Sequence, residues 1–213
     1  LADKNTPKVG YQKKNKPEES HYEMLKKLEL NDEDQANLNE FCIKNDIDFL
    51  STPYDVDSAK FLNSLNIKAF KIASADIVDL PLHEYVASTK KPVIISVGMA
   101  TLEEIDFILN IYDIYKSDQL ALLHTTSNYP ASDQSLNMEV IDTLKERYKI
   151  PIGYSDHSIG VNAAIIAISK GVKIIERHFT MDRTMDGPDH FASSSPDDFK
   201  DYVDQIKKTE IML

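Results

Sequence analysis

Short apolar, β-branched runs alternate along the chain with segments in which apolar residues recur at helical spacing. The strand-like runs fall at residues 48–53, 69–74, 92–98, 120–127, 151–157 and 174–179. Helical segments are predicted at 31–46, 55–66, 101–116 and 158–171, capped at Asn31, Thr101 and Ser158 and stopped at Gly171. In the first of these helices, Leu38, Phe41 and Cys42 share one face. Alternating strands and helices predict βαβ units and hence a parallel sheet.

The ends of the predicted strands help to choose between a doubly wound sheet and a (β/α)8 TIM barrel. Every run finishes in small polar or ionisable residues, as expected where a barrel gathers all its strand ends around one axis. A doubly wound sheet usually carries a Gly-rich phosphate turn, and no GxGxxG occurs here. We therefore predict that residues 1–213 form a partial TIM-barrel domain holding strands 3–8, with the first two strands before Leu1.

Composition narrows the possible partners and the compartment. The formal net charge is −11, which argues against nucleic acid and anionic membrane surfaces. No apolar run approaches the ~20 residues of a membrane span, and residues 1–20, predicted to be a loop, lack the apolar core of a signal peptide. Cys42 is the only cysteine, so no internal disulfide can form; this suits a cytoplasmic location.

Two histidines close the last two predicted strands. By strand alternation, His157 shares a face with Ser155, and His178 shares a face with Glu176. Neighbouring parallel strands lie about 4.8 Å apart, so two inward-facing imidazoles could share a metal ion, with Glu176 as a possible third ligand. The alternative is two unrelated, hydrogen-bonded histidines. Among the remaining histidines, His124 is predicted to be a core hydrogen-bonder, and His21 and His83 to be surface residues.

A lysine and several serines could bind an anion. Lys71 lies inside a predicted buried strand, where it could meet a phosphate or carboxylate or act as a Schiff-base amine. Alternatively, it faces the helices and extends to solvent. Neutral donors at the strand ends could complete a phosphate site with this lysine. These donors are Ser74, Ser96, Ser127 and Ser155.

The loop after the last strand carries Asp182, Asp186 and Asp189. Such acidic loops are commonly just solvated. Here Gly187 and Pro188 would stiffen the chain next to Asp189, which suits a carboxylate that accepts hydrogen bonds from sugar hydroxyls.

Motifs along nearly the whole chain resemble those of the sialic acid synthases, including legionaminate and pseudaminate synthases. They are "EMLKKLEL", "FLSTPYD", "FKIASADIVDLPL", "PVIISVGMAT", "LLHTTSNYP", "IGYSDHSIG", "IERHFTMDRTMDGPDH" and "SSSPDDF". The resemblance implies a TIM barrel that condenses phosphoenolpyruvate with an N-acylated hexosamine such as N-acetylmannosamine. Phosphate would be released and a nonulosonic acid formed.

Residue by residue, the resemblance implies that His157 and His178 bind a divalent metal, usually Mn²⁺. Positions matching phosphoenolpyruvate contacts are Lys71, Ser74, Ser96 and Ser155. Positions matching the sugar-binding cleft are Tyr129, Asp189 and Thr52. The sequence departs from the family pattern at Thr125, where Cys is frequent, at Ser127, where some members use Asn to bind phosphoenolpyruvate, and at Val97, where Thr is commoner.

The resemblance also predicts parts that these residues do not contain. An essential Glu and a further Lys are expected before Leu1, and a C-terminal antifreeze-like domain is expected after Leu213, its Arg reaching the partner's site in a homodimer. Residues 1–213 alone are therefore expected to be inactive. Two alternatives remain open: a metal-independent aldolase with Lys71 as Schiff-base lysine, and a non-catalytic barrel fragment that serves as a binding module.

Overall fold

The computed structural model describes residues 5–8, 10, 12, 18–115 and 119–213. The helices are α1 His21–Leu28, α2 Asp32–Lys44, α3 Val56–Ser64, α4 Leu80–Thr89, α5 Leu102–Tyr115, α6 Val140–Arg147, α7 Asn162–Ser169 and α8 Pro196–Met212. The strands are β1 Phe70–Ile72, β2 Val93–Ser96, β3 Leu120–Thr125, β4 Ile152–Asp156 and β5 Ile175–Arg177. Every helix in the described ranges is too short or too polar to span a bilayer.

The five strands belong to one sheet, hydrogen-bonded in chain order from β1 to β5. The pairs β1–β2, β3–β4 and β4–β5 are parallel, which confirms the predicted α/β fold with a parallel sheet. The described residues form two compact units. The first runs to Ile95 and includes Ala100–Leu120; the second comprises Ser96–Met99 and Ala121–Leu213.

In the first unit, β1 and β2 build an apolar core. Phe70 pairs with Val93 and Ile72 with Ile95, and all four side chains are at most 1% exposed. The predicted cap of α5 is confirmed, because Glu104 N donates to Thr101 Oγ1 (3.2 Å) while Thr101 N donates to Glu104 Oε2 (2.7 Å). The last residue of that predicted helix, Lys116, lies outside the described residues, as do parts of the predicted loop at 1–20.

In the second unit, β3, β4 and β5 bring polar residues into register. Thr125 pairs with Ser155, and Ser155 with Glu176. Gly98 follows β2 at a point where no side chain fits, since a Cβ there would lie 2.5 Å from the Thr125 carbonyl oxygen. Glycine thus lets the chain after Ser96 approach the end of β3 closely.

One predicted strand and one predicted helix cap are wrong. Residues 48–53 do not form a strand. The apolar pattern there is short, Pro53 cannot donate to a ladder, and Leu50 is 43% exposed. Helix α7 begins at Asn162 rather than after a Ser158 cap, because Ser158 N and Oγ instead donate to Asp156 Oδ1 (2.9 and 2.7 Å). The predicted stop is confirmed by Gly171, whose φ is +84°.

The prediction for His83 is wrong, and the shared face predicted for α2 is not buried. His83 is not a surface residue: it is fully buried in α4, and its Nδ1 lies 2.9 Å from Tyr112 Oη. The hydroxyl gives the imidazole a polar partner inside the core, so burial is tolerated. Conversely, α2 has no buried residue, and its predicted apolar face is exposed at Leu38 (41%) and Phe41 (64%).

Candidate functional site

Polar side chains lie at the carboxyl ends of the strands, as predicted. β2 ends at Ser96, β3 at Thr125, β4 at Asp156 and β5 at Arg177. In the second unit, this brings Ser155 of β4 and His157 just after it close to Glu176 of β5 and His178 just after it. The carboxyl ends of parallel strands are where α/β enzymes usually place their active sites.

The imidazole of His157 has a defined tautomer. Its Nδ1 lies 2.8 Å from the carbonyl oxygen of Thr126, which can only accept, so Nδ1 carries the hydrogen. Nε2 therefore carries the lone pair, and it lies 3.3 Å from Ser155 Oγ. Burial, with only partial compensation from this hydrogen bond, lowers the pKa of His157 to about 4. His157 is thus a neutral imidazole at pH 7, the form that binds metals.

His178 lies against His157, with ring centroids 5.3 Å apart and planes nearly perpendicular. The ring of Tyr129 packs on both imidazoles, 4.1 Å from His157 and 5.1 Å from His178 by centroid. The prediction that the two histidines lie next to each other is therefore confirmed. The ring of Tyr129 covers both of them.

Asp189 is brought to the same place. Its Oδ2 lies 3.8 Å from His178 Nδ1, and the side chain is 36% exposed overall. Its Oδ1, however, is buried without a hydrogen-bond partner. Burial raises the pKa of the Asp189 carboxyl, although His178 and His190 oppose the rise. Gly187 has φ +156°, and a Cβ there would lie 2.7 Å from the His190 ring, so glycine allows this loop to approach His190 closely; the stiffness of the loop stays a prediction.

Ser155 and Glu176 are hydrogen-bonded to each other next to the two histidines. Ser155 Oγ donates to Glu176 Oε1 at 2.6 Å, so its hydrogen is already used. Donation by Ser155 to a substrate anion, as predicted, would require its hydroxyl to turn away from Glu176.

The residues present fit a divalent cation in part. The lone pair of His157 Nε2, the neighbouring imidazole of His178 and the unpartnered Oδ1 of Asp189 are suitable donors. Within the described ranges, however, no three His, Cys, Asp or Glu side chains are arranged as a metal-binding cluster. Glu176 as a third ligand therefore stays a prediction.

The remaining predicted site residues of the second unit lie around its strand ends. Ser96 is buried (4% exposed), whereas Ser127 is exposed, two residues past the end of β3. Thr125 Oγ1 lies 3.3 Å from His157 Nδ1. Of the predicted acidic loop, Asp182 serves the local turn, because its Oδ1 accepts from Thr184 N and Oγ1.

Three predicted residues lie in the first unit. Lys71 is 8% exposed and its Nζ donates to the Ile72 carbonyl (3.1 Å), so its ammonium group does not extend into solvent. Ser74 is also 8% exposed, and Thr52 is half-buried. Sequence reasoning missed Asp76, whose pKa is raised to about 6 by burial and by the negative charge of Asp79, against the effect of Lys71. The sequence signal was an acidic residue two positions after Ser74.

Sequence reasoning also left Arg177 unexplained. Arg177 Nη1 lies 3.0 Å from Asp156 Oδ2, and both side chains are almost fully buried. Tyr202 of α8 donates to the same Asp156 oxygen (2.8 Å). The available signal was alternation: Asp156 and Arg177 each precede a site histidine and so point to the opposite face.

Parallel strands alternating with helices, with ionisable side chains at the strand ends, are typical of α/β enzymes. The NeuB family model matches residues 1–213, and the chain belongs to the NeuB family. It is 44% identical over 218 residues to the N,N'-diacetyllegionaminic acid synthase of Legionella pneumophila, covering 100% of this chain and 61% of that protein. It is 40% identical over 195 residues to the N,N'-diacetyllegionaminic acid synthase of Campylobacter jejuni, covering 91% of this chain and 58% of that one.

Solved structures agree on the fold. The N-acetylneuraminic acid synthetase of Leptospira borgpetersenii, determined with citrate, matches with a TM-score of 0.86 and 34% identity over 95% of this chain and 71% of that one. A truncated 3-deoxy-D-arabino-heptulosonate 7-phosphate synthase of Thermotoga maritima matches with a TM-score of 0.75 at 18% identity, covering 84% of this chain and 72% of that one. This chain spans about three fifths of the length of the Legionella and Campylobacter synthases.

Proposed function

We propose that the chain is the catalytic barrel portion of an enzyme that condenses phosphoenolpyruvate with an N-acylated hexosamine. The products are a nonulosonic acid and phosphate. The observation that carries the proposal is the neutral imidazole of His157 packed against His178 at the ends of β4 and β5, with Ser155 and Glu176 beside them. Membership of the NeuB family and the names of its relatives support the same reaction.

In this mechanism His157 and His178 hold a divalent cation, for which we propose Mn²⁺. When bound, the cation would supply Lewis acidity toward the aldehyde of the open-chain sugar. The lone pair of His157 Nε2 is kept available because Thr126 fixes the tautomer. Tyr129 excludes water from one side of both imidazoles.

The bond-forming step joins the methylene carbon of phosphoenolpyruvate to the aldehyde carbon. Water then adds to the resulting oxocarbenium carbon, and the tetrahedral intermediate collapses with loss of phosphate. We assign binding of the anionic donor to Lys71, Ser74, Ser96, Ser127 and Ser155, and contact with the sugar to Tyr129, Asp189 and Thr52. Their contribution is largely to hold the two reactants together. Glu176 Oε1 accepts the Ser155 hydroxyl hydrogen, so binding of the anionic donor by Ser155 requires this hydroxyl to turn away from Glu176.

The proposal extends to the whole protein. We propose a (β/α)8 barrel to which the described residues contribute the five strands β1–β5, together with a C-terminal antifreeze-like domain, a homodimer and a cytoplasmic location. As acceptors we propose hexoses with two acetamido groups ahead of N-acetylmannosamine, because two relatives are named as synthases of a diacetyllegionaminic acid.

The test is phosphate release by the whole protein after removal of metals with EDTA and addition of Mn²⁺. Phosphoenolpyruvate is offered with hexosamines that carry one or two acetamido groups. We expect activity only with Mn²⁺, and a loss of at least about 100-fold in His157→Ala, because each ligand is needed to hold the cation. The matched control is His124→Gln, since His124 is a buried strand histidine whose Nε2 contacts the Leu136 carbonyl instead.

Unchanged activity of His157→Ala would overturn the assignment of the site. Turnover that survives EDTA, together with a borohydride-trapped adduct at Lys71, would instead establish the Schiff-base aldolase. A whole protein that binds sugar but releases no phosphate with any acceptor would establish the non-catalytic alternative.

A further inference from the structure

A buried ion pair lies directly behind the two site histidines. Asp156 and Arg177 are register partners on β4 and β5, as Ser155 and Glu176 are one residue earlier. Because side chains alternate along a strand, the ion pair points away from the face that carries His157 and His178. Each strand thus carries one member of the ion pair immediately before one imidazole.

This pair is almost completely removed from solvent. The Asp156 side chain is 0% exposed and that of Arg177 is 5% exposed, with 3.0 Å between Nη1 and Oδ2. Burying two charges costs desolvation energy that an apolar pair of similar size would avoid. Stability of the fold alone is therefore a weak reason for placing this pair here, and a geometric role is a better one.

Neighbouring groups fix both charges in orientation. Arg177 Nε donates to Ser194 Oγ (2.9 Å), and Arg177 Nη1 donates to the Ser158 carbonyl (2.6 Å). The guanidinium also lies 5.0 Å from the ring centroid of Tyr202. On the other side of the pair, Asp156 accepts from Ser158 and from Tyr202. The buried charges therefore have partners just after β4, on the loop before α8 and on α8 itself.

The same network holds the backbone on either side of the imidazoles. His157 stands between Asp156 and Ser158, which are hydrogen-bonded to each other through the Asp156 carboxylate. The carbonyl of His178 accepts from Ser194 N (2.9 Å), and Ser194 is the residue whose hydroxyl accepts from Arg177. The backbone that carries each imidazole is thus hydrogen-bonded to, or directly adjacent to, a residue of this network.

We propose that Asp156 and Arg177 are positioning residues that set the separation and orientation of His157 and His178 for binding one divalent cation. This inference rests on the proposed function. The ion pair acts through the backbone of the histidines and touches neither substrate nor cation. The effect expected on its removal is weaker binding of the cation, since misplaced ligands cannot share it.

The experiment measures binding of Mn²⁺ alone to the metal-free whole protein, followed by loss of the electron paramagnetic resonance signal of free Mn²⁺. The test variant is Asp156→Asn/Arg177→Met, which removes both charges and so leaves no unpaired buried charge to unfold the protein. The matched control is Asp142→Asn/Lys170→Met, which removes the ion pair between α6 and α7. Melting temperatures are recorded for every variant.

We expect the dissociation constant for Mn²⁺ to rise at least about 10-fold in Asp156→Asn/Arg177→Met, as is usual when support for metal ligands is lost. In the control it should stay within about 2-fold of the wild type, since a surface pair of this kind contributes little. A merely structural role would lower the melting temperature and leave the dissociation constant unchanged, and that result overturns the inference.

If the double variant does not fold, Arg177→Lys tests the positioning role instead. Lysine keeps the charge near Asp156 but lacks the guanidinium fork that joins Ser158 and Ser194. We expect Mn²⁺ to bind about 3- to 10-fold more weakly, and wild-type affinity would overturn the inference. A wild-type protein that binds no Mn²⁺ would overturn the proposed function itself, whereas Mn²⁺ binding that is equal in wild type and variants overturns only the positioning role.

Discussion

His157 owes its chemical state to one backbone carbonyl. Thr126 lies just past the end of β3, and its oxygen fixes the hydrogen on Nδ1 of His157, while burial keeps the ring neutral. Alternation along the strands predicted that His157 and His178 lie at neighbouring strand ends and face the same side. The tautomer of His157 could not be predicted in this way, because it depends on the contact with Thr126, which follows a different strand. The same holds for Asp189, whose buried Oδ1 depends on how the loop folds back toward His178.

His83 shows how one buried residue can make stability depend on pH. Burial lowers its pKa from the ordinary 6.5 to about 4. Between these values, the unfolded chain binds a proton at His83 that the folded chain excludes. The contribution of neutral His83 to the free energy of unfolding is therefore fully present above about pH 6.5 and is lost as the pH falls toward about 4.

We expect His83→Gln to reduce the loss of stability on acidification, by up to about 3 kcal/mol between about pH 7 and about pH 4. Urea unfolding of both proteins across this range is the measurement. Asp76 contributes with the opposite sign, since its pKa is raised, but it is present in both proteins. The control is His21→Gln in α1. Parallel pH curves for wild type and His83→Gln would contradict the assignment.

At the scale of elements, the sequence predicted a helix cap correctly where the capping side chain contacts only residues of its own helix. Asn31 accepts from Asp34 N (2.8 Å), and Thr101 caps α5 as its sequence indicates. Ser158 failed as a cap because Asp156, a member of the buried ion pair, takes its hydroxyl. The apolar face of α2 was predictable as a pattern, but its exposure was not, because a pattern does not say what covers a helix.

The capping box of α5 gives a prediction at this scale. Thr101→Ala removes the acceptor for Glu104 N and should lower the free energy of unfolding by about 1 kcal/mol. The matched control is Thr143→Ala, where an exposed threonine within α6 is replaced by a better helix former, with an expected effect within about 0.5 kcal/mol. Chemical denaturation of the three proteins is the measurement. Equal losses at both positions would show that the box contributes nothing specific.

At the scale of the whole molecule, the parallel α/β fold followed from the alternation of strands and helices. Closure of a barrel is a different matter, because it depends on pairing at both edges of the sheet. β1 and β5 are the end strands of the five, and their outer backbone groups are the sites where further strands would pair. The alternation of strands and helices therefore predicted the parallel sheet but not its closure, and the eight-stranded barrel stays a proposal.

Residues 1–213 expressed alone should release no phosphate from phosphoenolpyruvate with any N-acylated hexosamine. The reason is that they cover 61% of the length of the Legionella synthase, and we expect the remainder of such a protein to supply groups that the reaction needs. The measurement compares this fragment with the whole protein at equal concentration and with Mn²⁺ present, and circular dichroism establishes that the fragment is folded. The whole protein carrying His157→Ala supplies the background rate. Fragment turnover within about 10-fold of the whole protein would show that the five-stranded sheet already holds every group the reaction needs.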